Sequence, residues 1–276
     1  MPASSTNGLT EWVARRERVV VLAGLSVTIA LAWLYLFLGG GMGCTGRPNA
    51  MKMPDMAGMD MAGMGGGQAI GGLWSDATLI IFAMWSVMMA AMMLPSAAPV
   101  ILLFAGLARS RASTAAFPPV GAFAGGYLLV WVAFSALATL AHVSLQQAAL
   151  LSPVLRSTST ALAAVLLIAA GVYQFTPLKS ACLLHCRAPA QFLARHWRAG
   201  TAGALRLGVV HGGYCVGCCW ALMGLLFVGG VMNLLWVAVL AAFILGEKMA
   251  FLGKPPGRIV SGAGLVAAGT VALVLM

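Results

Sequence analysis

His211-Gly-Gly-Tyr-Cys215-Val-Gly-Cys218-Cys219-Trp-Ala-Leu-Met223 is the stretch that decides how this chain is read. It lies in an apolar segment, about 207–229, long enough to cross a bilayer. At about 100° per residue, His211, Cys215 and Cys218 share an arc of roughly 80° on a helix, and Cys219 and Met223 extend that flank by a turn. Ionisable and polar groups at such depth face a bundle interior or a pathway. Thiols, thioethers and imidazoles favour Cu(I), zinc or iron–sulfur clusters over hard cations. Packing is the competing reading, strongest for Met223, because a lone buried Cys or Met is often a plain hydrophobe.

Composition points the same way. The 276 residues are 61% hydrophobic and only 8% charged, which excludes an ordinary soluble domain. The expected fold is all-α, a polytopic transmembrane helix bundle. Apolar runs at 19–38, 77–104, 120–141, 161–175, 207–229, 232–250 and 259–276 predict about seven spans. In a soluble protein the net charge of +10 would suggest nucleic acid; here it is assigned to cytoplasmic loops, and no nucleic-acid partner is expected. With the N-terminus cytoplasmic, 13 Lys and Arg fall on inner segments and 3 on outer ones, with Lys179, Lys248 and Arg258 among the inner loop charges. Residues 1–18 are then a cytoplasmic tail, 19–38 a retained signal anchor, 39–76 an external loop, and 77–276 the multi-span domain. The location implied is the bacterial inner membrane, crossed several times.

Within this layout Pro95 and Pro99 are expected to kink or end the second span. His142 and Arg156 fall in a loop, His196 among solvated arginines, and Glu247 with Lys248 at an interfacial helix end. The basic connector 177–206 carries Cys182, His185 and Cys186, three soft donors facing the cytosol and remote from the membrane thiols. Reduced structural thiols are the equal alternative there.

Methionine is the outlier. Of 17 methionines, 12 lie between Met42 and Met93. Met51, Met53, Met56, Met59, Met61 and Met64 sit in a Gly-rich loop without helical or strand periodicity, where Asp-Met-Ala-Gly-Met occurs twice. Thioethers do not titrate and prefer soft Cu(I) or Ag(I). The loop resembles the Met-rich repeats of periplasmic copper-resistance proteins; a low-complexity spacer is the alternative. In the second span Met84, Met88 and Met92 form one stripe, and Met89 and Met93 a second about 100° away. Such a stripe serves either core packing or a metal path.

Three motifs resemble a bacterial family of uncharacterised proteins described as predicted metal-binding integral membrane proteins. They are Met84-Trp-Ser-Val-Met88-Met-Ala-Ala-Met92-Met-Leu-Pro95, Gly213-Tyr-Cys215-Val-Gly-Cys218-Cys219-Trp220, and Gly230-Val-Met232-Asn233 through Glu247-Lys248. The resemblance covers roughly 75–255 and marks Met84, Met88, Met92, Cys215, Cys218, Cys219, Asn233 and Glu247 without assigning roles.

These readings point to a protein that handles Cu(I), or another soft metal, in transport, transfer or metalloprotein assembly. A copper chaperone or metalloenzyme would be its partner, and a homo-oligomer is open. A thiol–disulfide redox protein using Cys215 and Cys218 is the alternative, although no second paired Cys is visible in another span. An apolar scaffold or assembly partner without metal is the third.

Overall fold

The computed structural model describes residues 6–38, 76–111, 117–148, 159–231, 233–249 and 254–275. Cys44 and the six loop methionines Met51, Met53, Met56, Met59, Met61 and Met64 lie outside them. Among the described residues every element is helical: α1 Thr6–Phe37, α2 Asp76–Arg111, α3 Phe117–Gln147, α4 Thr160–Gln174, α5 Pro177–Arg187, α6 Pro189–His196, α7 Gly200–Gly224, α8 Leu226–Gly229, α9 Leu234–Met249 and α10 Pro255–Val274. Over their described residues the seven apolar runs are mostly helical, but not every helix is long enough to cross a bilayer. Among the described residues five helical stretches are long and apolar enough: Val19–Phe37, Asp76–Ser110, Pro119–Gln147, Gly200–Gly229 and Pro255–Val274. A sixth arises if α4 and α5, bent by 67°, count as one. The 16 residues of α9 fall short of the roughly 20 a span needs.

One expectation about these helices is corrected, and of the two outcomes expected at Pro95 and Pro99 the ending is ruled out. α2 does not end at its prolines but runs on to Arg111. Polar side chains bond the backbone in that stretch, with the Ser96 and Tyr127 hydroxyls reaching the Met93 carbonyl at 2.8 and 3.2 Å. His142 is not in a loop; it lies inside α3 and is fully buried. There its Nδ1 accepts from Trp85 Nε1 at 3.1 Å.

Backbone contact at glycines sets the packing. α3 lies against both α2 and α7, and α4 against α10. A Cβ on Gly208 would stand 2.1 Å from the Phe123 carbonyl oxygen, and one on Gly126 would stand 2.3 Å from that of Leu205. No side chain fits between α3 and α7 there, as in small-residue helix crossings in lipid. Gly208→Ala is expected to lower stability by about 1–3 kcal/mol through forced separation. Gly213→Ala on the same helix meets nothing within 4 Å and should change it by less than about 0.5 kcal/mol. Thermal unfolding in detergent, followed by circular dichroism, separates the two.

The bend between α4 and α5 has a local cause. Thr176 caps α5, its side chain accepting from the Lys179 amide at 3.3 Å, and Pro177 fills the first helical turn, where a missing amide costs nothing. Pro177 has no amide to extend the α4 hydrogen-bond ladder. The freed carbonyl of Gln174 is met by the Arg258 guanidinium from the first turns of α10, which also reaches the Thr176 carbonyl. Arg258 is therefore a structural clamp, not a loop charge.

Candidate functional site

The connector expected to stand apart packs back onto the bundle: α5 lies along α7, and α6 touches α2. Gly217 admits it. A Cβ there would lie 2.8 Å from Cys182 Sγ, and the Gly217 carbonyl also accepts from the Tyr173 hydroxyl. With α5 seated, Cys186 Sγ stands 4.0 Å from Cys218 Sγ. The two cysteine groups predicted to occupy different depths thus form one cluster.

Cys215 is its centre. Cys186, Cys218 and Cys219 are grouped around it: Cys186 Sγ neighbours Cys218 Sγ, and Cys218 and Cys219 bond the Cys215 carbonyl. Lys248 Nζ donates to Cys215 Sγ at 2.9 Å and to Ser96 Oγ at 2.9 Å. The Tyr127 hydroxyl lies 3.2 Å from both Cys215 Sγ and the Met93 carbonyl, and its single proton serves one at a time. α3 and α9 therefore meet α7 at one sulfur, and α2 joins through Ser96 and the Met93 carbonyl.

Glu247 and Lys248 are not an interfacial pair. Adjacent residues on a helix point about 100° apart, so each finds its own partner. Glu247 is 1% exposed and accepts from Lys179 Nζ at 2.7 Å and from Gln174 Nε2 at 2.9 Å. Lys179, counted above as a loop charge, is 0% exposed. Two lysines of the presumed inner loops are thus core residues, and the charge asymmetry between loops is weaker than the raw count.

The remaining expected donors are placed as follows. Met84, Met88, Met89, Met92 and Met93 are all buried in the core that also holds Cys215, Cys218, Cys219 and Met223. His211 is buried among Phe123, Tyr127 and Phe192, and its Nδ1 has no hydrogen-bond partner. His185 turns from Cys182 and Cys186: its ring stacks on Tyr214 with centroids 4.0 Å apart, and its Nδ1 donates to the Ala181 carbonyl at 2.8 Å. Asn233 caps α9, its side-chain oxygen accepting from the Trp236 amide at 3.2 Å.

Among the described residues no three His, Cys, Asp or Glu side chains converge in a metal-holding arrangement as they stand. The reason is visible in the thiols. Cys218 and Cys219 donate to the Cys215 carbonyl at 3.1 and 3.0 Å, turned onto their own helix. The donor chemistry nonetheless suits a soft ion: several thiols, no described carboxylate in contact with them, and a lysine whose charge would offset a thiolate that holds the ion. Lys248, Tyr127 and Ser96 were not foreseen as part of the site. A lysine closing the apolar run 234–248 was the available signal, because so buried a cation needs an anionic or polar partner.

The class defined by these features is a bundle of apolar helices with a thiol cluster and an internal counter-charge at its core. The model of the copper chaperone family PpoB2 matches residues 82–272, well over half of the chain, and the chain belongs to that family. α1 and the Met-rich loop lie outside the match. No curated protein and no solved structure matches the chain.

Proposed function

We propose that this chain is a multi-pass protein of the bacterial inner membrane that takes Cu(I) as cargo on Cys215 with Cys186, Cys218 or Cys219, and passes it to a protein partner. The observation that carries this is the meeting of thiols from α5 and α7 around Cys215, with Lys248 2.9 Å from its sulfur. Large exposed apolar side chains on the outer helices, Leu31, Leu137, Val260 and Val274 among them, support a lipid surrounding. Met51, Met53, Met56, Met59, Met61 and Met64 collect the ion outside, and Met84, Met88 and Met92 line its approach.

Charge selects the ion. Two thiolates and one monovalent ion leave one negative charge, which the Lys248 ammonium cancels. A divalent ion in the same place would leave an uncompensated positive charge, costing several kcal/mol in a low-dielectric interior. Rotation of Cys218 or Cys219 about its first side-chain torsion frees the sulfur from the Cys215 carbonyl, and exchange proceeds by sharing one ligand at a time. Lys248→Met is expected to weaken Cu(I) binding by about 10–100-fold, as loss of a supporting contact at a metal site does. Lys248→Arg should retain most of the affinity. Competition with a Cu(I) chelator measures both.

Elemental analysis of protein purified from copper-supplemented cells tests the reading: copper should persist when residues 51–64 are deleted. Protein free of copper under those conditions overturns it. One observation favours a second reading. The Cys186 and Cys218 sulfurs, 4.0 Å apart on different helices, supply the paired thiols that a dithiol–disulfide relay requires. Trapping a mixed disulfide through either residue would support that reading.

A further inference from the structure

Beyond the thiol cluster, a pocket of about 340 Å³ opens where α6 turns into α7, lined by Arg195, His196, Trp197, Arg198 and Arg206 with apolar residues of α7 behind them. The volume is roughly ten times that of one water in the liquid. We infer that this pocket binds a phosphate-bearing anion, taken either from an anionic phospholipid headgroup or from solution.

Three observations support it. The first is charge without compensation. Between described residues Lys179–Glu247 is the one ion pair, so the three guanidiniums meet no described carboxylate. Glu247 is engaged by Lys179. Asp76, the other carboxylate with a described side chain, opens α2, whereas Trp197 packs on Phe104 with ring centroids 5.4 Å apart, 28 residues further along that helix. At 1.5 Å per residue that separation is about 42 Å.

The second is fixed geometry. A Cβ on Gly203 would stand 2.6 Å from the Arg198 carbonyl oxygen, so the turn lies flat on α7, and Gly200 takes φ of +81° to make it. His196 stacks on Phe192 and donates from Nδ1 to the Phe192 carbonyl at 3.1 Å. The backbone that carries Arg195 and Arg198 is thereby held in place, and with Arg206 they line one cavity. Planar guanidiniums match phosphate oxygens in pairs, which a lysine cannot do.

The third is position. The pocket sits at the end of the bundle where α2 closes at Ser110 and Arg111 and α3 begins. Tryptophan and arginine side by side at a helix end are the groups that meet lipid headgroups, and basic pockets between spans hold anionic ones. This inference stands apart from the copper reading and uses none of its residues.

Native mass spectrometry of the full chain, released from nanodiscs with equal phosphatidylglycerol and phosphatidylcholine, tests it. Preferential retention of phosphatidylglycerol is expected. Each arginine near a headgroup is worth about fivefold, so Arg195→Gln with Arg198→Gln and Arg206→Gln should cut that retention on the order of 100-fold. Arg198→Gln alone should cut it about fivefold, and decides the matter if the triple variant does not fold. Displacement by excess inorganic phosphate assigns the site to a soluble anion; persistence assigns it to the lipid. A wild-type chain retaining neither, or retention unchanged in the variants, overturns the inference.

Discussion

Cys215→Ser is expected to lower Cu(I) affinity by more than the roughly 100-fold that loss of a supporting contact costs at a metal site. The sulfur of Cys215 is the one held by both Tyr127 and Lys248, with Cys186, Cys218 and Cys219 grouped around it. Serine keeps the shape and accepts the lysine hydrogen bond, but it offers a hard neutral oxygen to a soft ion. Two deficits therefore add: one ligand is lost, and Lys248 loses the thiolate that balances it. Cys182→Ser should have a much smaller effect, since that sulfur rests on Gly217. Titration against a chelator of known Cu(I) affinity, with residues 51–64 deleted so that the loop methionines do not mask the loss, measures both variants. Equal effects from the two would remove Cys215 from the centre of the site.

The second large effect is on stability. Lys179→Met leaves Glu247 charged and buried, with Gln174 as its remaining hydrogen-bond donor. Breaking a buried pair from one side costs about 3–5 kcal/mol, because the surviving charge stays out of water. Replacing both partners, Lys179→Met with Glu247→Gln, should recover much of that loss, since a neutral amide can still bond to Gln174. Thermal unfolding of the three proteins in one detergent checks the order. A double variant as unstable as the single would mean that the pair contributes more than charge balance. Because Lys179 lies on α5 and Glu247 on α9, the same substitution should loosen the seat of Cys186.

The helices were legible because apolar runs of spanning length are the strongest signal a sequence carries. The shortness of α9 and the break after α4 were less so: Thr176-Pro177 marks a start as plainly as a stop, and only tertiary contact shows which way the chain turns. The thiols of 215–219 were visible as one helical flank. That Cys182 and Cys186 join them was not, since their connector is polar and reads as a loop; the bare face at Gly217 is the feature that admits them. Glu247 and Lys248 looked like a pair because they are adjacent, although adjacency on a helix keeps side chains apart. Lys179 looked solvated because arginines follow it. The methionines of α2 are buried, as either packing or metal passage requires, so burial does not choose between them.

The most direct measurement is Cu K-edge absorption spectroscopy on the chain lacking residues 51–64, loaded with one Cu(I). Two or three sulfur neighbours are predicted, with no oxygen or nitrogen shell, and Cys186→Ser on α5 and Cys215→Ser on α7 should each alter that shell. A sulfur shell indifferent to Cys186→Ser would contradict a site shared between the two helices.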